Sequence, residues 1–390
     1  MKRTSHSVRL FWAASILIAS PCTFPQTPNE LLAQRLLIWQ RYAPVCLGSP
    51  SKWKDPPASV DPMCNDGDMN LFSGLLCAAG VEEGCRAVKA AFANSGPQAG
   101  RWYRSPRRRN DPSIDAAEAK GGVASFSPDM ALGAQLYLAT TRDTATAQAW
   151  LNWLNRHRPC LAGKEPTCNF PQDALVLIPN VRGWPRFCTD DAPSSGNVGR
   201  GCTMRPGDLA DLAFTRYYLL SANQPSLSCT ADLSSVGDLG DYFSQLVDVD
   251  KLVAGGLPRL LDISCGLAPE LNRLSGLVNR PGYSQHLVAV EIFLYRKLGV
   301  KNPLIDQTAK LLSDKQPKNP FFRYLAEGPT DSVRDLVLAQ CPSTDAEAAA
   351  SPRSQWAWER DDAEQAWKKS SMWDCIFMAK LLYSGLESTK

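Results

Sequence analysis

The sequence predicts an all-α, disulfide-stapled globular protein, and three observations predict it. Apolar residues recur at helical spacing along most of the chain, whereas alternation with a period of two almost never lasts beyond about five residues. Proline- and glycine-rich stretches separate the helical runs and serve as loops. Thirteen cysteines follow or close an export-type leader.

The leader comes first. Lys2, Arg3 and Arg9 form a positive start, Leu10 to Ala19 (LFWAASILIA) is an apolar run, and the small and turn-forming residues SPCT follow. That order predicts a secretory signal over residues 1–22 and a mature domain over residues 23–390, in the periplasm or secreted. The run is too short to span a bilayer, which takes about 18 or more apolar residues, and no later stretch reaches that length. Cys22 raises the alternative of a lipid anchor, but Pro21 stands where a lipobox wants a small residue, so the anchor is the lesser reading. Loss of the leader removes three positive charges from a net charge of +3, leaving the mature chain near neutrality. Nothing in that balance favours nucleic acid.

Without Cys22 the cysteines number twelve, an even count that suits disulfides. Short spacings predict Cys77 with Cys85, Cys160 with Cys168 and Cys188 with Cys202. Cys229 with Cys265 and Cys341 with Cys375 are plausible, which leaves Cys46 with Cys64. Zinc is the weaker use of these thiols: no CxxC occurs, and only His157 and His286 lie outside the leader. No metal and no cofactor is expected.

The helical elements follow in order. Asp68 to Gly80 (DMNLFSGLLCAAG) is apolar nearly all round, and Val81 to Phe92 (VEEGCRAVKAAF) is amphipathic. Ser127 to Ala139 (SPDMALGAQLYLA) starts with a good N-cap and a proline suited to the first helical position. It is again apolar all round, as a buried helix is. After a break at Thr140 to Arg142, Ala147, Trp150, Leu151 and Leu154 form one stripe, as an outer helix does. Each pair reads as an inner–outer hairpin. Asp208 to Leu220 opens another. Ser284 to Gly299 (SQHLVAVEIFLYRKLG) and the striped Asn302 to Ser313 make one more, and Asp374 to Tyr383 closes the chain. The stretch from Thr230 to Asn279 yields no defined element. Arg101 to Ala124, Cys160 to Arg205 and Cys341 to Arg360 are predicted loops, rich in Pro, Gly, Arg and Trp.

This alternation of inner apolar helices, polar at their first turn, with amphipathic outer ones resembles the (α/α)-toroid enzymes. That group includes glycoside hydrolases and polysaccharide lyases. The resemblance covers most of the mature chain and rests on pattern, with unevenly spaced starts and no diagnostic motif. It implies an (α/α)6-like toroid as a single domain, with a cleft at the rim where the inner helices begin.

The residues that suit such a cleft are acidic and aromatic. Asp66 and Asp68 stand in NDGDM, Asp129 in FSPDM, Asp208 and Asp211 in RPGDLADL, and Asp374 in MWDC. All lie at or near predicted inner-helix starts. Glycoside hydrolysis needs two carboxyl groups across the scissile bond, one protonated and one ionised. Asp68 and Asp129 are the first candidates, with Asp208 and Asp374 behind them. The bland alternative is that aspartates in a first turn only cap helices.

Arg101, Trp102, Tyr103 and Arg104 precede the triplet Arg107 to Arg109, Trp184 lies in a Pro-rich loop, and Trp373 precedes Asp374. Indoles stack on sugar faces and guanidinium forks hold carboxylates or sulfates. The predicted partner is therefore a polysaccharide or oligosaccharide, with the arginines tilting toward an acidic one. The competing role for these residues is structural: tryptophans pin the loop and arginines solvate it. Trp356 and Trp358 in RSQWAWER belong to the same class.

Three functional readings result. The leading one is a glycan-degrading enzyme, a glycoside hydrolase with a carboxylate pair. A lyase would need a base, for which Tyr283 or His286 would serve. A non-catalytic envelope protein that binds glycan or a partner would use its aspartates only as caps. The sequence has no GxSxG, no HExxH and no P-loop lysine after Gly196 to Thr203. Ser49 to Lys52 matches SxxK no better than chance does.

Overall fold

The computed structural model describes residues 27–52, 64–111, 126–159, 185–189, 202–221, 226–229, 258–350 and 371–387. The leader, Cys22, the Cys160–Cys168 pair, Trp184, Trp356 and Trp358 lie outside the described residues.

The first described element was not among the sequence expectations. Helix α1 (Pro28–Tyr42) starts at a reciprocal cap: Thr27 Oγ1 accepts from the Glu30 amide, and Glu30 returns a bond to the Thr27 amide. Two short strands, β1 (Val45–Cys46) and β2 (Ser49–Pro50), then pair antiparallel. The predicted hairpins follow. Every residue of α2 (Met69–Ala78) is buried, while α3 (Glu82–Ala90) buries only Gly84, Ala87 and Val88. A one-turn helix, α4 (Pro106–Asn110), interrupts the first predicted loop. Helix α5 (Pro128–Thr141) is buried from Met130 to Ala139 and ends on a left-handed Arg142. Helix α6 (Thr144–Arg156) is capped by Asp143 and buries the expected stripe of Ala147, Trp150, Leu151 and Leu154.

Helix α7 (Pro206–Leu220) is mostly buried. The stretch that offered no element contains α8 (Pro258–Val278), with Pro269 inside the helix. The buried α9 (Tyr283–Lys297) and the striped α10 (Pro303–Lys315) form the next predicted pair. Between them β4 (Val300–Lys301) pairs in parallel with β3 (Leu227–Ser228). Helices α11 (Pro320–Glu327), α12 (Asp331–Gln340) and α13 (Asp345–Ala350) lead to the last helix, α14 (Met372–Glu387). No described helix is long and apolar enough to cross a membrane.

The molecule is mostly helical, with little strand. One hydrophobic cluster runs from Leu32 in α1 to Leu382 in α14. A close helix crossing joins α2 to α5. A Cβ on Gly74 would stand 2.2 Å from the Gly133 carbonyl oxygen, and one on Gly133 would stand 2.2 Å from that of Asn70. Only hydrogen fits there, so the two backbones touch. Next, Thr215 of α7 donates to Gln135 of α5 at 2.9 Å inside the core. Cysteines pair as Cys46–Cys64, Cys77–Cys85, Cys188–Cys202, Cys229–Cys265 and Cys341–Cys375, the five predicted pairs that fall within the described residues.

Candidate functional site

The crossing at Gly74 and Gly133 places two helix starts side by side. Asp68 is the N-cap residue of α2, six positions before Gly74, and Asp129 lies in the first turn of α5, four positions before Gly133. At about 1.5 Å per residue both carboxyls sit within roughly 10 Å of the crossing, measured along their helices. Tyr283, the first residue of α9, comes to the same point and its hydroxyl donates to Asp129 Oδ2.

Asp68 occupies a capping position but makes no side-chain capping bond. Its carboxylate turns instead to two cations. Arg104 Nη1 lies 3.1 Å from Oδ1, and Lys52 Nζ lies 3.5 Å from Oδ2. Lys52 is itself buried and stands over the Phe72 ring, 5.3 Å from its centre. An antiparallel bridge between Lys52 and Asn65 brings it there.

A neighbouring carboxylate builds the wall behind. Asp66 accepts from Ser105 Oγ at 2.6 Å, from Arg107 Nε and Nη2 at 2.9 and 2.6 Å, and from Arg108 Nε at 3.2 Å. So the arginine run is not a solvated surface. Arg107 and Arg108 wrap a buried anion, and Arg108 is only 4% exposed. Asn70 of α2 donates to the Tyr103 carbonyl at 2.7 Å, and Arg104 donates to the Gly67 carbonyl at 2.9 Å. The segment from Tyr103 to Arg108 is thereby fastened across the start of α2.

The two candidate carboxyls hold their protons differently. Burial pushes the Asp129 carboxyl above the usual range and the nearby Asp68 charge adds to it, against a Ser127 hydrogen bond and Arg104. Burial also acts on Asp68, but Lys52, Arg104 and Arg108 outweigh it, and that group ends below the usual range. Both side chains remain partly open; that of Asp68 is 31% exposed. The arrangement sets a carboxyl that burial inclines to keep its proton beside one that its cations incline to lose it, each reachable from solvent.

The other predicted residues take different places. Asp208 accepts from the Arg205 amide at 2.5 Å and from its guanidinium at 2.9 Å, so it caps α7 as the bland reading holds. Next to it, the buried Asp211 and Tyr295 meet the half-buried Glu291 between α7 and α9. Burial drives Asp211 well above the carboxylate range, and it pushes Glu291 up to about 7. Asp374 is fully buried at the first turn of α14, its amide bonded to the Ser371 carbonyl.

Trp102 is 1% exposed and packs among Phe92, Tyr137 and Trp150, which makes it a core residue. Trp373 is buried and its Nε1 donates to the Pro44 carbonyl at 2.7 Å. Both indoles pin loops to the body. Arg101 lies against the Tyr103 ring, 4.7 Å from its centre, and both are buried. His286 is 1% exposed, with burial holding its ring down to about 3, so it stays neutral and is poorly placed to be a lyase base. Among the described residues, no group of three or more His, Cys, Asp or Glu side chains is placed to hold a metal ion. A separate groove of about 420 Å³ opens between the Asn94–Gly100 turn and α6, and neither Asp68 nor Asp129 lines it.

Sequence reasoning missed Lys52 and undervalued Asp66 and Tyr283. Nothing in SPSK marks its lysine as the partner of an aspartate sixteen residues on. Asp66 and Tyr283 did carry a signal, since each stands beside a predicted inner-helix start.

No family model matches this sequence, and neither a curated protein nor a solved structure is detectably similar to it.

Proposed function

We propose that this protein is a glycan-degrading hydrolase, with Asp129 as general acid and Asp68 as the ionised partner. One observation carries the reading: two carboxyls at adjoining helix starts, one pushed by burial toward keeping its proton and the other drawn by Lys52 and Arg104 toward its ionised form. Glycoside hydrolysis asks for that division of protonation. Asp129 would protonate the departing glycosidic oxygen. Asp68 would either activate a water or attack the anomeric carbon, and then Asp129 would return as base.

A toroid suits this reading. The packing of α1 against α14 and of α14 against α2 joins the end of the chain to its beginning, as a closed ring requires. Arg104 and Lys52 beside the pair favour a glycan that carries anionic groups. The five disulfides suit an oxidising, exported setting. The non-catalytic reading makes Asp68 and Asp129 caps, and the missing capping bond at Asp68 counts against it.

The deciding experiment is product release by the oxidised protein from neutral and acidic polysaccharides and peptidoglycan. New reducing ends without the ultraviolet absorbance of unsaturated sugars, lost in Asp129→Asn, are expected. A loss of roughly a hundredfold or more fits an acid catalyst. Absorbance would move the case to a lyase, and turnover unchanged in Asp129→Asn would remove Asp129 from the chemistry.

A further inference from the structure

We infer that Tyr283 is a positioning residue for Asp129, presented by a glycine turn that the buried His286 holds shut. The inference rests on the hydrolase reading for its consequence in catalysis, but the contact itself can be tested without it.

The chain of contacts starts far from the site. Asn319 caps α11: its Oδ1 accepts from the Phe321 and Phe322 amides at 3.1 and 3.3 Å. Only its amide nitrogen is left to donate, and it lies 3.1 Å from His286 Nε2. That nitrogen must therefore be the ring's acceptor. The other, Nδ1, stands 3.2 Å from the Gly282 carbonyl oxygen, which can only accept. A neutral ring with its proton on Nδ1 satisfies both contacts, and a neutral ring is what full burial enforces.

The Gly282 carbonyl thus takes a bond from the ring as well as one from the His286 amide at 3.2 Å. Gly282 has φ 116° and ψ −152°, a conformation essentially reserved for glycine. It turns the chain so that Tyr283 begins α9 at the rim, where its hydroxyl meets Asp129. Two further buried amides steady the same turn: Gln285 Nε2 donates to the Asn279 carbonyl at 2.8 Å, and Gln316 donates to Gln285 Oε1 at 2.6 Å.

The hydroxyl bond engages Asp129 Oδ2 and so leaves Oδ1 to carry the transferable proton. It fixes which oxygen faces the substrate. A donor to a carboxyl also favours its ionised form, so the phenol moderates a carboxyl that burial and Asp68 push the other way. Without it Asp129 would bind its proton more tightly and point it less well.

Tyr283→Phe removes one oxygen and leaves the ring packing in place. Its Asp129 carboxyl is expected to titrate about half a unit to one unit higher than in the parent, followed by carbon-13 resonances of labelled aspartate assigned against Asp129→Asn. An unchanged or lowered midpoint overturns the inference. His286→Gln keeps the phenol but loosens the turn. A smaller shift of the same sign is expected, and a folded variant with no shift removes the histidine from the chain. On a glycan substrate, Tyr283→Phe should lower kcat roughly tenfold to a hundredfold with little change in KM, and should move the basic limb of the profile to higher pH. A superimposable profile overturns the inference while leaving the hydrolase intact. A protein that cleaves no glycan but shows the aspartate shift has lost its proposed function and kept this contact.

Discussion

Asp68 and Asp129 carry the same side chain and occupy similar places on neighbouring helices, yet they hold their protons with opposite strength. Two cations face one and burial dominates the other. That contrast gives the two aspartates opposite effects on stability. The Asp129 carboxyl is raised in the folded state, so folding favours its proton. Its contribution is unfavourable above the ordinary carboxylate range and vanishes as pH falls below it. Asp129→Asn is therefore expected to melt no lower than the parent at neutral pH, with the gap closing in acid, while turnover is lost. Asp68 is lowered, so its contribution is favourable above the unfolded value and is lost as pH falls through the folded one. Asp68→Asn should melt lower at neutral pH, because Lys52 and Arg104 are left buried beside a neutral amide. Melts of both variants from acid to neutral pH would check these signs. A cap alone would cost each variant up to about 1 kcal/mol and separate them in neither sign nor pH response.

At the scale of the element, the contact between α2 and α5 sets the spacing of the two carboxyls. Gly74→Ala or Gly133→Ala would force the helices apart, with an expected cost of about 3 kcal/mol or more and loss of turnover. Denaturant unfolding of either variant would measure it. A second contact, between α7 and α9, predicts a different pH effect. Glu291 is raised to about 7 in the fold, so stability should fall as pH climbs from the ordinary carboxylate range to about 7, and level off above it. Glu291→Gln is expected to flatten that decline, worth on the order of 1 to 3 kcal/mol, in melts taken across this range. These elements differ in how far the sequence revealed them. The apolar runs of α2, α5 and α9 and the stripes of α6 and α10 announce themselves, because buried and half-buried helices differ in periodicity. By contrast, α8 was illegible because Pro269 sits inside it, and a proline reads as a stop. The starts of α2 and α5 could be named as candidate acid sites. That the two lie close enough to interact, with Tyr283 bonded to Asp129, depends on packing between distant segments. Lys52 and the burial of Trp102 and Trp373 are likewise tertiary facts that no local pattern carries.

Across the whole molecule, cross-links at very different sequence distances hold the helices together. Cys229–Cys265 and Cys341–Cys375 close loops of 36 and 34 residues. Loop-closure entropy assigns roughly 4 kcal/mol to each. Reduction should therefore lower the melting temperature sharply, and a Cys341→Ser, Cys375→Ser double variant should lose a large part of that amount on its own. A melt insensitive to reductant would mean that the packed core suffices. The core itself is shared by the first and last helices. Trp39 donates to the Pro342 carbonyl at 2.8 Å, Arg35 to that of Leu338 at 2.6 Å, and Tyr383 to that of Asn29 at 3.1 Å.

Those three bonds bridge some 303 to 354 positions of sequence, and that separation is also a delay. A ribosome adding about 5–20 residues each second has α1 finished for a quarter of a minute or longer before its partners exist. Throughout that interval the described helices that pack most closely on α1, namely α12, α13 and α14, are missing from its surroundings. The helix that starts the described fold is thus among the last to settle, and its apolar face must be shielded by something else until the end arrives.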